Sequence, residues 1–443
     1  MKTVLITSFH NFTARNILGA PFLKMLTGRG IRAVIIVPEG KVLFYEKEFG
    51  GENIVVHGVP GRLRRTDVFF KSFGMAAMRT RSLNIMRQKN IGVEPRILQK
   101  LFFWAPLFKR CIPFLYKHGV SKNAYADIFE KYQPLLLFAT DAFSSVDNRL
   151  LHEARYRGVT TVSMVRSWDN LTTKGIMRVI PDVLVVGNEI LKKEAIRYHG
   201  VKENRIAVVG IPHHDRYGSG PKKSWKDFVV TIGGDEKKKL VLYAALGDEQ
   251  FSDYNCFDAE VIDMLVDYIP PTHQLLVRFP PALSVTLDKM QKGDKVLFER
   301  PGVAKGGNTG NFTKNELGMR DDDHLIDTLF YADVVISVTT TLLLDAVLCD
   351  RPTIVINFNN SAGVWQSEAP SRVLEYIHMQ PLLKSGGVRV VSSPGALRAA
   401  LEEYIKEPAT DHEGRVRVRK ELAYMYDGKS SERLCNVITK LLV

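Results

Sequence analysis

Cysteine is scarce in this chain of 443 residues: Cys111, Cys256, Cys349 and Cys435 are widely spaced, and no Cys-x-x-Cys pair occurs. That excludes a disulfide framework and a cysteine zinc cluster, and it suits a reducing compartment. Long apolar runs are missing too. No stretch approaches the roughly eighteen consecutive apolar residues that a membrane-spanning helix needs. The apolar run within residues 1–7 is too short for a secretory signal, so a cytoplasmic location is expected. No Gly-x-Gly-x-x-Gly loop follows the first strand, and no dinucleotide cofactor is indicated. Acids are nearly absent between residues 61 and 120, where only Asp67 and Glu94 face thirteen lysines and arginines. This one segment carries most of the formal charge of +13.

What is present is ordinary globular composition, 45% hydrophobic and 25% charged, in a chain long enough for two or three domains. Residues 3–7 make an apolar run of strand length. Residues 14–27 carry Ile17, Leu18, Phe22 and Leu26 at helical spacing, Gly28 and Gly30 end that helix, and 31–37 reads as the next strand. This β-α-β pattern predicts a parallel sheet. Beyond the basic segment the alternation resumes, with strands at 135–139, 160–165, 183–186 and 206–209 and helices at 148–157 and 189–199. Gly218, Gly220, Pro221 and the pair Lys222-Lys223 then interrupt it. A second series follows, with strands at 240–244, 275–278, 295–298, 334–338 and 353–356 and helices at 259–268, 323–332 and 342–349. The expected fold is α/β: two doubly wound, Rossmann-like domains, 1–217 and 218–443, with a basic and aromatic insertion at about 61–120.

Ligands of open α/β sheets bind beyond the carboxyl ends of the strands, so the residues after each strand are the candidates. Thr339, Thr340 and Thr341 follow strand 334–338 and open a helix, whose free N–H groups and dipole favour a phosphate. Asp345, one turn on, is placed to accept from ribose hydroxyls. The same residues also suit a plain helix cap with an acid in its first turn. Arg278 ends strand 275–278. In the first half, His10 follows strand 3–7 and is a candidate general base, with Asp141 and Asp169 at equivalent strand ends as alternatives. Each of the three equally fits a loop or a cap. Arg15 and Arg166 are candidate acceptor or sugar contacts. His213-His214-Asp215 looks metal-like, but adjacent residues of an extended chain face opposite ways, so no metal site is expected. His213 is instead a candidate donor contact.

Residues 323–356 read as a helix, a strand, a threonine-rich turn, an acidic helix and a small apolar strand. This order resembles the donor-nucleotide region of GT-B glycosyltransferases and of the related CDP-glycerol glycerophosphotransferases. Leu275 to Pro281 is similar to a strand ending in Arg/Lys-x-His-Pro in that family. Pro280 stands where the family has histidine, so Arg278 alone carries over. Asp427-Gly428-Lys429-Ser430-Ser431-Glu432-Arg433 resembles the family's Asp-Gly-Lys-Ala/Ser-x-x-Arg tail, and Val208 to Pro212 resembles the Gly-x-Pro segment that closes its N-terminal domain. The resemblance implies GT-B architecture, with two domains facing a central cleft and a metal-independent site without a resident cofactor. The reaction it implies is transfer of a sugar from a nucleotide-sugar donor to a hydroxyl of a surface polysaccharide or lipid-linked glycan acceptor. Glycerol-phosphate transfer from CDP-glycerol, sugar-nucleotide 2-epimerisation and non-catalytic binding are the alternatives on this scaffold.

The basic insertion interleaves its cations with Phe69, Phe70, Phe73, Trp104 and Phe108. One reading is a solvated basic face over a normal core. The other is an anionic membrane surface, where each basic residue contributes about 1 kcal/mol, making the protein peripheral on the inner face. Nucleic acid is not expected, since no recognised binding motif accompanies the charge.

Overall fold

The computed structural model describes residues 1–10, 13–61, 63–89, 104–247, 257–281, 283–288, 290–302, 317–338, 340–358 and 373–442, with the side chains at 14, 15 and 89 outside the description. The chain divides into two compact units, Met1–Arg216 with Glu421–Val443, and Tyr217–Lys420.

Seven parallel strands form the sheet of the first unit: β1 (Thr3–Thr7), β2 (Arg32–Pro38), β3 (Ile54–Val59), β4 (Leu136–Ala139), β5 (Thr160–Met164), β6 (Val183–Val186) and β7 (Ile206–Val208). Their spatial order is β3-β2-β1-β4-β5-β6-β7. Val4, Leu5 and Ile6 of β1 and Leu136, Leu137 and Phe138 of β4 are fully buried. Parallel strands covered on both faces read as unbroken apolar runs, which is why these two were visible in the sequence. The order reverses between β1 and β4, and that reversal creates the crevice in which doubly wound sheets bind ligands.

The second unit repeats the plan with six parallel strands: β8 (Lys239–Ala244), β9 (His273–Arg278), β10 (Val296–Glu299), β11 (Ala332–Ser337), β12 (Thr353–Ile356) and β13 (Arg389–Val391). They lie in the order β10-β9-β8-β11-β12-β13, with the reversal between β8 and β11. Two doubly wound parallel sheets are thus present, as the alternating patterns predict.

Three features differ from the sequence reading. The single helix expected over 14–27 is a short π-helical turn, Ala14–Leu18, followed by an α-helix, Phe22–Gly28. Pro21 stands between them and lacks the N–H that a continuous helix requires. Strands β3 and β13 were not anticipated. Finally, residues 421–443 join the first unit, so the second ends at Lys420 and not at 443. The physical reason is a cap. Asp215 accepts hydrogen bonds from the backbone N–H of Ser430 at 2.9 Å and of Ser431 at 2.7 Å, the first N–H groups of the helix Ser430–Lys440. Gly210 is also needed here: its φ is +88°, and a Cβ there would fall 2.3 Å from Ser430 Oγ. The tail motif serves the same end, since Asp427 accepts from Lys429 N–H at 3.1 Å and pairs with Arg433.

The basic insertion folds in part as the helices Arg65–Ala77, Arg81–Lys89 and Ile112–Gly119. One of its two acids ties it down. Asp67 is 0% exposed, accepts from Arg64 N–H at 2.8 Å and from Arg149 Nε at 2.8 Å, and so joins the insertion to the helix Ser145–Tyr156. Among the described residues no helix is long and apolar enough to cross a membrane. Removing one partner of a buried ion pair leaves an uncompensated charge at a cost of about 3–5 kcal/mol. Asp67→Ala is therefore expected to destabilise the protein by about that amount, and Asp67→Asn by less because it keeps an acceptor. Urea unfolding of the two variants measures both.

Candidate active site

The crevice between β1 and β4 collects polar residues from several strand ends. Phe9 and His10 follow β1, Thr140 and Asp141 follow β4, and Arg166 follows β5. With Asp147 and Lys174 among the other lining residues, they enclose a cavity of about 260 Å³. Burial, then the Arg166 cation, lowers the pKa of His10 to about 4; Asp141 acts in the opposite sense, and Lys174 and Lys41 add to the lowering. The imidazole is accordingly neutral at neutral pH, the form that accepts a proton.

Asp141 has both carboxylate oxygens engaged, one by Phe143 N–H at 2.9 Å and the other by Arg166 Nε at 2.9 Å. It fixes the guanidinium at the cavity wall. Of the expected residues, the first unit thus brings together His10, Asp141 and Arg166. Asp169 does not line the cavity. It precedes the short helix Asn170–Thr173, whose Asn170 and Thr173 do line it, and accepts from Thr173 Oγ1 at 2.9 Å. Burial, then the charge of Asp169, raises Glu194 to about 7. His213 is 1% exposed in the turn Pro212–Ser219, and the Asp215 carboxylate is taken up in capping the last helix. The side chain of Arg15 lies outside the described residues.

Sequence reasoning missed Asp147. Its carboxylate accepts from Thr7 Oγ1 at the end of β1 and from the backbone N–H of Asp141 beyond β4, while its second oxygen has no partner. The signal was Ser144, three residues earlier, whose Oγ accepts from Asp147 N–H at 3.3 Å and caps the helix Ser145–Tyr156.

In the second unit, Arg278 ends β9 and stands beside Glu299 at the end of β10. The two side chains pair, and Glu299 also bonds His324 from the helix Met319–Tyr331. Burial opposes the charge on Glu299, but Arg278 and His324 hold its carboxyl below the usual range. Glu299 and His324 were both missed by the sequence reading. Thr340 follows β11, and its Oγ1 lies 3.1 Å from Ser337 Oγ, which donates to Ala244 O of β8 at 2.8 Å. Thr340 therefore sits at the β8/β11 crevice. Thr341 is exposed and precedes the helix Leu342–Leu348, and Asp345 within that helix is buried. Thr339 lies outside the described residues. Among the described residues, no group of three or more histidines, cysteines and acids is arranged to hold a metal ion.

The Asp147 carboxyl gives a test of the first site. Burial, then the charge of Asp141, raises its pKa to about 6 from an ordinary 3.8. A carboxyl with a raised folded pKa contributes its stability below the unfolded value and loses it as pH rises through the folded one. Between pH 4 and 7 the wild type should therefore lose about 2 kcal/mol relative to Asp147→Asn. Urea unfolding of both proteins at the two pH values reads that difference.

Residues 178–440 match the family described as CDP-Glycerol:Poly(glycerophosphate) glycerophosphotransferase. No curated protein matches the sequence. Among solved structures, the chain is similar to the UDP-GlcNAc 2-epimerase of Neisseria meningitidis bound to UDP-GlcNAc, at 11% identity and a TM-score of 0.58 over 99% of this chain and 100% of that one. It is similar also to the UDP-GlcNAc 2-epimerase of Methanocaldococcus jannaschii, at 14% identity and a TM-score of 0.55 over 99% and 100% of the two chains. A glycosyltransferase from Rickettsia africae ESF-5 superposes at 10% identity and a TM-score of 0.50 over 100% and 98%. Identities this low speak to the fold alone, which is the GT-B-like fold common to these epimerases and glycosyltransferases. The family match is of another kind, for it spans more than half of the chain and takes in β6 to β13, the Arg278 and Thr340 strand ends and the capped last helix: the chain belongs to the CDP-glycerol:poly(glycerophosphate) glycerophosphotransferase family.

Proposed function

We propose that this protein transfers glycerol phosphate from CDP-glycerol to a hydroxyl of a polyol-phosphate polymer, with His10 as the base. The family match favours this over the sugar transfer expected from the sequence, because the matched family is described by transfer of a phosphate ester. The observation that carries it is the neutral His10 imidazole in a cavity that also holds Arg166 and Lys174. In the step itself the acceptor oxygen attacks the phosphorus bearing glycerol, the bond from that phosphorus to the CMP oxygen breaks, and CMP leaves. The hydroxyl proton passes to His10. Arg166 and Lys174 stabilise the charge gathering on the phosphoryl oxygens, and the incoming phosphate in turn raises the basicity of His10. With both its oxygens occupied, Asp141 acts by positioning Arg166.

The donor is assigned to Arg278, Thr339, Thr340, Thr341 and Asp345 of the second unit. Glu299 orients Arg278, whose guanidinium has five donors and keeps some for a phosphate. One strand, β8, lies between β9 and β11, so the ends of these two strands are about 10 Å apart, and Arg278 and Thr340 suit different ends of a nucleotide diphosphate. Arg15 and His213 have no part in this reading.

Pro280, in place of the family's histidine, favours a second reading, sugar transfer from a nucleotide-sugar on the same scaffold. The leaving group separates the two: CMP from CDP-glycerol, a nucleoside diphosphate from a nucleotide-sugar. CMP release that depends on added polymer is the expected result. His10→Gln should lower that turnover by about 10²–10⁴-fold while leaving the affinity for CDP-glycerol unchanged. Because the pKa of His10 is lowered to about 4, the active neutral base persists into acid and kcat/KM should hold level down to pH 6. Arg278→Ala and Asp345→Ala should each weaken CDP-glycerol binding about ten- to a hundredfold by calorimetry. Wild-type turnover in His10→Gln places the base elsewhere.

The acceptor end is assigned to an anionic membrane surface. Phe69, Trp104, Leu107, Phe108, Phe114 and Leu115 are exposed on the described part of the basic insertion. Some of them line an open groove of about 600 Å³. Burial, then the neighbouring Arg110 cation, lowers the pKa of Lys109, a repulsion that anionic headgroups relieve. Residues 90–103 of the insertion lie outside the described residues. The protein should sediment with vesicles of anionic lipid at low salt and detach at high salt. Equal sedimentation with neutral vesicles rules out a charge-driven contact.

A further inference from the structure

The first unit contains a second cavity, of about 480 Å³, that shares no lining residue with the one around His10. It opens at the edge of the sheet where β5, β6 and β7 begin, between the helix Ile112–Gly119 and the segments that lead into β6 and β7. The His10 crevice lies at the opposite edge, beyond the strands' carboxyl ends.

Five cations, Lys117, Lys122, Arg155, Lys202 and Arg205, contribute to the lining, and no acidic side chain does. Among the described residues none of the five is paired with a carboxylate. Arg155 donates to Ile180 O, and Lys122 sits 4.9 Å from the centre of the Tyr156 ring. Cations gathered at one concavity without counter-charges repel one another and focus a field that attracts an anion.

Two buried groups add donors to the lining. Tyr116 is 0% exposed, and its hydroxyl has no hydrogen-bond partner. Burial raises its pKa to about 12, so the proton stays in place for donation. Buried polar groups in proteins are nearly always satisfied, and an orphan lining a cavity points to a ligand atom. Arg178, 4% exposed, is held by hydrogen bonds to Ser145 Oγ at 3.0 Å and to Phe143 O, bringing a sixth cation to the cavity. The remaining walls are largely apolar, formed by Pro113, Phe114, Tyr156, Val179 and Ile180. A bare inorganic ion would leave those walls in water; an organic anion covers them.

We infer that this cavity is a second binding site, for a phosphate ester of a small polyol, whose phosphate takes the Tyr116 hydroxyl and the surrounding cations while its carbon part lies on the apolar walls. A cluster of this charge exceeds what a single carboxylate needs, and the volume suits a group of glycerophosphate size rather than a nucleotide chain. The site stands apart from the reaction proposed above and does not depend on it. Such a phosphate ester has two sources, a soluble or polymeric glycerophosphodiester and the headgroup of an anionic glycerolipid.

The test titrates the full chain with glycerophosphoglycerol by calorimetry and, separately, sediments it with phosphatidylglycerol vesicles. The variants are the double substitution Lys122→Gln with Arg205→Gln, and Tyr116→Phe. Saturable binding by the wild type is expected, at least about tenfold weaker in the double variant, since charge-assisted contacts are lost. Tyr116→Phe should bind several-fold more weakly yet melt at no lower temperature, because its hydroxyl has no partner in the free protein. Saturation by the soluble diester identifies the free or polymeric ester as a sufficient ligand. Binding to vesicles alone, lost in the double variant, identifies the lipid headgroup. No saturable binding to either probe, or binding undiminished in both variants, overturns the inference.

Discussion

The crevice at the centre of the first unit depends on one buried carboxylate. Ladder pairing between β1 and β4 runs from Val4 with Leu136 to Ile6 with Phe138. Beyond that point the chains part toward their own helices, and side chains take over. Thr7 Oγ1 accepts from Thr140 N–H at 2.9 Å and donates to Asp147, while Thr140 Oγ1 donates back to Thr7 O at 2.8 Å. Asp147 reaches the Asp141 backbone as well. His10 follows Thr7 by three residues and Asp141 follows Thr140 directly, so this latch sets where the segments carrying His10 and the Arg166 anchor begin. Its cost is a carboxyl held in a dry site beside a second acid, which is why its pKa stands near 6.

Charge is handled in two ways across the chain. Asp67 with Arg149, Asp141 with Arg166, and Glu299 with Arg278 and His324 are well-buried pairs. Pairs of this kind add little net stability over apolar residues of similar volume, but they hold a guanidinium or imidazole in one place. Each sits where placement matters: at the root of the insertion, at the β1/β4 crevice and at the end of β9. Lys117, Lys122, Arg155, Lys202 and Arg205 of the second cavity have no carboxylate partner among the described residues.

The fold leaves the reaction open, since sheets of this arrangement serve both 2-epimerases and glycosyltransferases at 10–14% identity. What narrows it is local. The family match covers the whole second unit, where the histidine expected beside Arg278 is replaced by Pro280. Tertiary contact brings a different imidazole to the same neighbourhood, His324, joined to Arg278 through Glu299.

The sequence by itself determined the two doubly wound sheets, because buried parallel strands must be apolar along their whole length: β1, β6 and β12 coincide with the runs read from it. It missed β3, whose residues are mostly half-buried and include His57 and Gly58, and β13, which is only three residues long. It also placed His10, Asp141, Arg166 and Arg278 at or just beyond strand ends, since such a position is set by the strand alone. Partnership was decided only in three dimensions. That Glu299 faces Arg278 follows from the β9–β10 register, and that Asp147 closes on Thr7 follows from the packing of a helix over the crevice. The last helix joins the first unit because Asp215, distant in sequence, supplies acceptors for its free N–H groups. Local patterns encode what a segment becomes; which charges meet depends on contacts between segments that no local pattern records.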